Sequence, residues 1–365
     1  MSAPKPQPSI MGIDPYVGGE AEIPGSDRVI KLASNEGAFG PSPKAIEAFK
    51  ELAGTLHRYP DGSCGELRRA IGERHGLDPE HIVCGAGSDE LIGLLSQSYA
   101  GSGDEVLHSH HGFLMYPISA MATGATPVAA PETNLTADVD ALLDHVTQRT
   151  RILFVANPNN PTGTYLSDAE MRRLRAGLRD DILLVVDAAY ADYVERDDYQ
   201  AGDELVHSGD NVVMTQTFSK IHGMGGLRLG WAYCPAAVAN VLNRVRGPFN
   251  VNAAAAAAGI VAIGDTEFTE RVRLHNKEWR AWTCDELVKL GLSVTDSVGN
   301  FLLVCFGDVP GRNAEAADTF LKERGIIVRR MTAYHLSQCL RITIGLEDEM
   351  RAVIGALAAF LGRNK

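Results

Sequence analysis

The sequence predicts an α/β protein: a large, mostly parallel sheet sandwiched by helices, followed by a smaller α/β layer. Short, near-continuous apolar runs recur through the middle of the chain: "HIVCGAG", "DEVLHS", "RILFVANP", "DILLVVDAAY", "NVVMTQTFSK" and "LGWAYC". A strand that is apolar on both faces is buried on both faces, which is the habit of parallel sheets. Helix-like segments such as "DAEMRRLRAGLRD" alternate with these runs, as covered parallel sheets require. After the long helical stretch "TEFTERVRLHNKEWRAWTCDELVKLG" the rhythm changes to "SVGNFLLVCF", "DTFLKERGIIVRR", "CLRITIG" and "EDEMRAVIGALAAFLGR", a second and smaller unit.

At 365 residues the chain has room for two domains, at roughly 150 residues each. Residues 1–30 are rich in breakers, as in "PYVGGEAEIPGSD", and read as an irregular arm. A large domain is expected over 50–260, and a small one from 31–49 together with 261–365. Within these, "GPSPKAIEAFKEL" is a proline-started helix. The alanine run Ala253–Ala258 reads as a closely packed helix, since alanine favours helix and permits near approach.

The chain carries 34 basic and 46 acidic residues, a net charge of -12. That balance argues against a nucleic-acid or anionic-membrane surface. The N-terminal "MSAPKPQPSI" lacks the apolar core of a signal peptide, and no apolar run approaches the ~20 residues that span a bilayer. A cytoplasmic location is expected. Six scattered cysteines include no CxxC pair, so they are read as small buried hydrophobes, with no disulfide framework and no zinc site. The cluster His108, His110 and His111 has no carboxylate or cysteine at matching ligand spacing, and no metal is expected there.

Ligands of doubly wound sheets sit beyond the carboxyl ends of the strands, so the residues that follow each strand are the informative ones. After "IVC" comes a glycine turn through Gly87, then Ser88 as an N-cap with Asp89 and Glu90 in the first helical turn. Such a helix start is a ready phosphate site, or simply a capped helix. After "ILFVA" comes "NPNNPTG", a turn that leaves the amides of Asn157, Asn159 and Asn160 free, or a turn and nothing more. After "ILLVV" comes Asp187, a carboxylate that needs a cation or strong donor if buried, with Tyr190 three residues on. After "VVMTQT" comes Thr217, Ser219 and Lys220, and then Arg228 in a glycine-rich turn. A phosphate pocket, an amide, a carboxylate seeking a cation and a lysine at one sheet edge make the inventory for pyridoxal phosphate. The lysine takes the aldehyde and the carboxylate pairs with the ring nitrogen. "GMGGLRLG" does not serve a nicotinamide, because Arg228 stands where G-x-G-x-x-G has its last glycine.

The ordered set "DPYVGG", "LASNEGAFGPSP", "HRYPDG", "GAGSDEL", "NPNNPTG", "SKIHGMGGLRLGW", "GIIVRR" and "CLRITIG" resembles the fold-type I pyridoxal-phosphate aminotransferases. Among them it is most similar to the branch acting on histidinol phosphate. The resemblance covers nearly the whole chain. It implies a seven-stranded sheet in the large domain, a homodimer, and transfer of an amino group between histidinol phosphate and 2-oxoglutarate in ping-pong fashion. It implies that Lys220 forms the Schiff base, that Asp187 meets the ring nitrogen, and that Asn160 and Tyr190 hydrogen-bond the ring oxygen. Gly87, Ser88, Asp89, Thr217, Ser219 and Arg228 would surround the phosphate, and Phe113 would stack on the ring. Tyr59 would reach the neighbouring subunit's cofactor. Arg341 would clamp the substrate's anion, helped by Arg329, Tyr16 and Asn35. The chain departs from the family at Gly37-Ala38 in place of N-P, at His110-His111-Gly112 in place of P-P-T, and at Ala188, where an acid is usual. The same cofactor residues would serve an aromatic aminotransferase or a decarboxylase of a phosphorylated amino acid. A cofactor-binding transcriptional regulator would need a basic extension, for which this acidic chain leaves no room.

Overall fold

In the computed structural model, residues 3–25 and 29–363 are described. The strands run in chain order as β1 (Ile30–Leu32), β2 (Ile82–Gly85), β3 (Glu105–Ser109), β4 (Thr126–Ala130), β5 (Glu132–Thr133), β6 (Thr136–Ala137) and β7 (Thr150–Ala156), then β8 (Leu183–Asp187), β9 (Val212–Thr217), β10 (Gly230–Tyr233), β11 (Ser293–Val294), β12 (Phe301–Cys305), β13 (Ile326–Arg330) and β14 (Cys339–Thr343). They form a seven-stranded sheet of order β2-β10-β9-β8-β7-β3-β4, a five-stranded sheet of order β1-β13-β14-β12-β11, and a small hairpin, β5-β6.

Strand β10 runs antiparallel to both its neighbours in the large sheet, and the other pairs are parallel. Successive side chains of a strand point to opposite faces. Here Leu153, Val155, Leu184 and Val186 enter one core, while Ile152, Phe154, Leu183 and Val185 enter the other. That is why the sequence shows near-continuous apolar runs. The seventh strand, β4, was not visible in the sequence. It contains Pro127 and is partly exposed, as an edge position permits, because proline cannot donate to a ladder on both sides.

The alanine run forms the helix Ala253–Gly264, begun by the Asn252 side chain accepting from Ala255 N at 2.8 Å. A Cβ at Gly259 would lie 2.4 Å from Leu229 Cδ2, so the small residues allow the helix to sit hard against its neighbours. The helix Pro43–Leu52 starts on proline, with Ser42 accepting from Ala45 N. Sequence order grouped this helix with the small layer. It packs instead along Ala253–Gly264, and Ala45 belongs to the large-sheet core, because the alanine-rich surface gives it a close-fitting partner. Strand β1, just before it, does pair with β13 in the small sheet. The small sheet has its own core, formed with Trp279, Leu287, Leu321 and Leu357 from the flanking helices.

The expectation of six reduced cysteines is corrected at one pair: Cys305 and Cys339 form a disulfide, while Cys64, Cys84, Cys234 and Cys284 are free. The two residues face each other in register across β12 and β14. Their separation of 34 in sequence carries no motif, because sheet register alone brings them together.

The two layers meet at the "NPNNPTG" turn. Val298 N donates to Gly163 O at 2.9 Å and Thr295 Oγ1 to Thr162 O at 2.6 Å. Gly163 has φ +77, and a Cβ there would lie 2.2 Å from Ser297 Oγ and 2.9 Å from its Cα. Gly163→Ala should therefore combine backbone strain with a clash and cost about 2–4 kcal/mol. A thermal melt indistinguishable from wild type would show that the two layers do not meet this tightly in solution.

Candidate active site

The carboxyl ends of β7, β8 and β9 lie side by side, with Ala156 opposite Asp187 and Asp187 opposite Thr215. Because β10 runs the other way, its first residue, Gly230, stands opposite both Thr217 and Gly85. Loops from five strands therefore open at one rim. The pocket there is lined by Ser88, Asp89, Phe113, Asn160, Asp187, Tyr190, Thr217, Ser219, Lys220 and Arg228 from the large layer. Tyr16 and Asn35 come from the N-terminal segment, and Arg329 and Arg341 from the small sheet. Gly87 lies just behind this lining, against the Arg228 guanidinium.

Asp187 is 5% exposed. Tyr116 Oη donates to its Oδ2 at 2.9 Å; Ala189 N and Thr215 Oγ1 approach Oδ1 at 3.3 and 3.4 Å. Burial pushes the carboxyl up to about 6 against these donors. It is a carboxylate short of a cation in the pocket wall. The Lys220 amine donates to Ser34 O at 3.3 Å and Asn35 O at 3.4 Å, and lies 5.6 Å from the centre of the Tyr190 ring. It has no carboxylate partner among the described residues, only weak carbonyl ones, which suits an amine that must leave them.

At the glycine end Ser88 is not the N-cap that the sequence predicts. Gly87, with φ +89, is the N-cap, and Ser88 is the first helical residue with no capping bond from the side chain. The physical reason is the tight loop: a Cβ at Gly87 would lie 2.3 Å from Arg228 Nη2, and one at Gly230 2.4 Å from Ser88 N. Only glycine lets the helix start and the arginine approach so closely. Ser88 N is thus among the free N–H groups of the helix start. Arg228 itself has φ 56, and donates to Ser219 Oγ at 3.2 Å, Gly225 O at 3.1 Å and Asp89 Oδ2 at 3.1 Å. Thr217 Oγ1 accepts from Ser219 N at 3.1 Å. These groups make a compact, donor-rich cup for an anion.

At the other end Arg341 and Arg329 are register partners on β14 and β13. Arg341 is 6% exposed; it donates to Ala33 O at 2.8 Å and to the Asn160 side-chain oxygen, and its Nε has no partner among the described residues. Burial pulls its pKa down. Arg329 donates to Val17 O at 2.6 Å. Asn35, with φ 54, donates to Tyr190 Oη at 2.8 Å and pairs with Thr343 Oγ1 through both its backbone N and its side-chain oxygen.

One expected site residue stays outside. Tyr59 is 84% exposed, stacks on Phe249 at 4.8 Å, and lines no part of this pocket. The histidines make other bonds: His111 Nδ1 pairs with Glu132 Oε2 at 2.7 Å and His108 Nδ1 lies 2.8 Å from Ser109 O. Among the described residues no group of three or more ligand types could hold a metal. Sequence reasoning missed Tyr116, Thr215 and Thr343, whose polar atoms support the site from behind. For Tyr116 a signal existed, since it lies one helical turn beyond Phe113.

The profile of the family described as "Aminotransferase class I and II" matches residues 27–357. The chain belongs to this family. This aminotransferase is 61% identical to the histidinol-phosphate aminotransferase of Paramagnetospirillum magneticum, over 99% of this chain and 100% of that one. It is 59% identical to the histidinol-phosphate aminotransferase of Rhodospirillum centenum, covering 99% of each. Among solved structures, the histidinol-phosphate aminotransferase of Sinorhizobium meliloti in complex with pyridoxal-5'-phosphate superposes with a TM-score of 0.89 at 26% identity, over 99% of this chain and 98% of that one.

The raised Asp187 pKa gives a signed prediction for the aminotransferase without cofactor. Its folded value of about 6 exceeds the unfolded one of about 3.9. The folded chain therefore holds this proton more tightly, and the contribution to stability is full below about pH 4 and lost as pH rises through about 6. At 1.36 kcal/mol per unit the swing is about 3 kcal/mol. The stability of wild type relative to Asp187→Asn should fall by that amount across the window in urea melts; a difference that does not change with pH would contradict it.

Proposed function

We propose that the chain is a pyridoxal-phosphate-dependent transaminase that interconverts L-histidinol phosphate plus 2-oxoglutarate with imidazole-acetol phosphate plus L-glutamate, in histidine biosynthesis. The observation that carries this reading is the placing of Lys220, Asp187, the Ser88–Arg228 cup and the Arg329–Arg341 pair in one pocket. Identity above half with named histidinol-phosphate aminotransferases over their full length supports the choice of substrate.

The residues fit the cofactor by their chemistry. A loosely held amine, a buried carboxylate without a cation and a cup of N–H, hydroxyl and guanidinium donors match its aldehyde, ring nitrogen and phosphate in turn. Bound, pyridoxal phosphate supplies an aldehyde for the amine and a ring that takes up the electrons released when the substrate's C–H bond breaks. Lys220 would act as general base to take the proton from the substrate's reacting carbon, and then as acid to give it up at the carbon that was the cofactor's aldehyde. Asp187 keeps a negative charge against the ring nitrogen. Asn160 and Tyr190 serve the ring oxygen, and Phe113 covers a ring face. Arg341 offers a guanidinium fork that accepts either a carboxylate or a phosphate, and the neighbouring Arg329 adds charge for a phosphate dianion. Tyr16 and Asn35 complete the substrate end. The donor's product leaves before the acceptor enters.

We further propose a cytoplasmic homodimer. Tyr59, exposed on its own chain and stacked on Phe249, would serve the second copy's phosphate; Phe49 and Leu56, earlier in the chain, are exposed apolar side chains too. No helix among the described residues is long and apolar enough to cross a membrane.

The test is a single-turnover experiment following loss of the visible absorbance of the lysine-bound cofactor. Histidinol phosphate and glutamate should react fast, and phenylalanine and tyrosine slowly. A preference for an aromatic donor would overturn the substrate assignment. Lys220→Ala should lower kcat about ten-thousand-fold while leaving the fold, so undiminished turnover would refute the role of the lysine. Arg341→Lys, which keeps charge but loses the fork, should raise KM roughly ten- to hundred-fold; an unchanged KM would remove the residue from the substrate clamp.

A further inference from the structure

We infer that Tyr116 is a positioning residue of the reaction: its phenol O–H fixes the Asp187 carboxylate and its ring fixes Phe113, so one side chain aligns both the ring-nitrogen partner and the ring-face partner of the cofactor. The inference rests on the proposed use of pyridoxal phosphate, and it concerns a residue that does not line the pocket.

Three observations carry it. First, Tyr116 is fully buried, and its hydroxyl makes the shortest hydrogen bond that the Asp187 carboxylate receives, 2.9 Å to Oδ2 against 3.3 and 3.4 Å for the two donors at Oδ1. It is the only described side chain with a hydrogen bond to that oxygen. Second, the ring is immobilised. It stacks on Phe154 with centroids 4.7 Å apart and planes at 4°, and Phe154 lies on the strand next to the one carrying Asp187. Third, the ring also meets Phe113, edge to face at 5.9 Å and 89°, with the His108 ring farther off at 6.4 Å, and Tyr116 N donates to Phe113 O at 3.0 Å. Phe113 lines the pocket and follows β3, which β7 and β8 separate from the strand that carries Thr217.

The chemistry follows from these contacts. A hydrogen bond to a buried carboxylate stabilises its charged form. Without the phenol, Oδ2 would keep no donor among the described residues at this buried position, and the carboxyl would hold a proton more readily. Asp187 would then be the weaker partner for a positive ring nitrogen. The hydroxyl keeps its own proton, because burial and the adjacent Asp187 push its pKa well up. Asp89 is the other acid bearing on Asp187, and acts in the opposite sense to Tyr116. A tyrosine that only filled the core would be served as well by phenylalanine, since the stack on Phe154 and the edge on Phe113 need no oxygen.

The test compares wild type, Tyr116→Phe, Asp187→Asn and the double variant, each loaded with cofactor. Tyr116→Phe should fold, melting within a few degrees of wild type when cofactor-free. It should lose roughly ten- to hundred-fold in kcat, the range of a hydrogen bond to a charged group, with KM for the amino donor within about two-fold. Cofactor should also leave it faster on dilution. In the Asp187→Asn background the same change should cost less than about two-fold, because the group it acts through is gone. Wild-type kcat and cofactor retention in Tyr116→Phe would overturn the inference, and so would an equal loss in both backgrounds. A wild-type chain that takes up no cofactor would overturn the underlying reading instead, and is seen before any variant is made. Even then the cofactor-free chain tests the bond: the upper edge of the pH window over which stability is lost through Asp187 should rise in Tyr116→Phe, while the lower edge, set by the unfolded chain, stays.

Discussion

A carboxylate at the buried end of a central strand sets the terms for the rest of this molecule. Stripping water from an ionised carboxyl is expensive unless hydrogen bonds or a cation replace it. At Asp187 the fold supplies donors that hold the group without satisfying it, and its pKa remains raised to about 6. The strand must end there, since one residue earlier Val186 is packed in the core. The neighbouring strands must bring Thr215 alongside, and the helix Met115–Ala122 must place Tyr116 above it. Much of the large layer's register is thus tied to one unsatisfied charge.

The complementary constraint is the short segment Ala33–Glu36. Arg341 donates to Ala33 O, Lys220 to the carbonyls of Ser34 and Asn35, and Asn300 to those of Asn35 and Glu36. The Asn35 side chain bridges Tyr190 of the large layer to Thr343 of the small sheet. Asn35 adopts a left-handed conformation, which costs of order 1 kcal/mol for a residue with a side chain, and these bonds offset that cost. Three carbonyl groups in a row, Ala33 to Asn35, therefore hold the reactive amine and the anion clamp in a common frame.

What the sequence disclosed, it disclosed through patterns that are local. Two-sided burial wrote the central strands as apolar runs, and the residues after them pointed to Asp187, Lys220 and Arg228, because strand ends and glycine turns are short-range signals. Strand β4 was hidden by its proline and its half-exposed edge position. Ser88 was misplaced by one residue, because serine is a good cap and only the close approach of Arg228 shows why glycine takes that position. Thr343 and the Cys305–Cys339 pair were unreadable for a common reason: each acquires its partner through packing or register across more than thirty residues. A helix grouped by chain order with the small layer belongs by contact to the other, since adjacency in sequence does not decide which apolar surface a helix covers.

The reversal of β10 has a consequence for the order in which the pocket is assembled. The chain leaves β9 at Thr217, makes a short excursion carrying Lys220 and Arg228, and returns at Gly230 opposite the residue it left. A loop that closes on itself over so few residues loses little entropy in doing so. The lysine, the hydroxyls and the guanidinium of the phosphate end are therefore brought together within one short stretch of chain, although the amine's own hydrogen bonds reach back to Ser34 and Asn35. The substrate end is built differently, because Arg341 meets Ala33 across 308 positions. Half of the pocket is local information and half is long-range. The half that holds the cofactor can form as soon as the large sheet pairs, and the half that selects the substrate is completed only when both ends of the chain have come home.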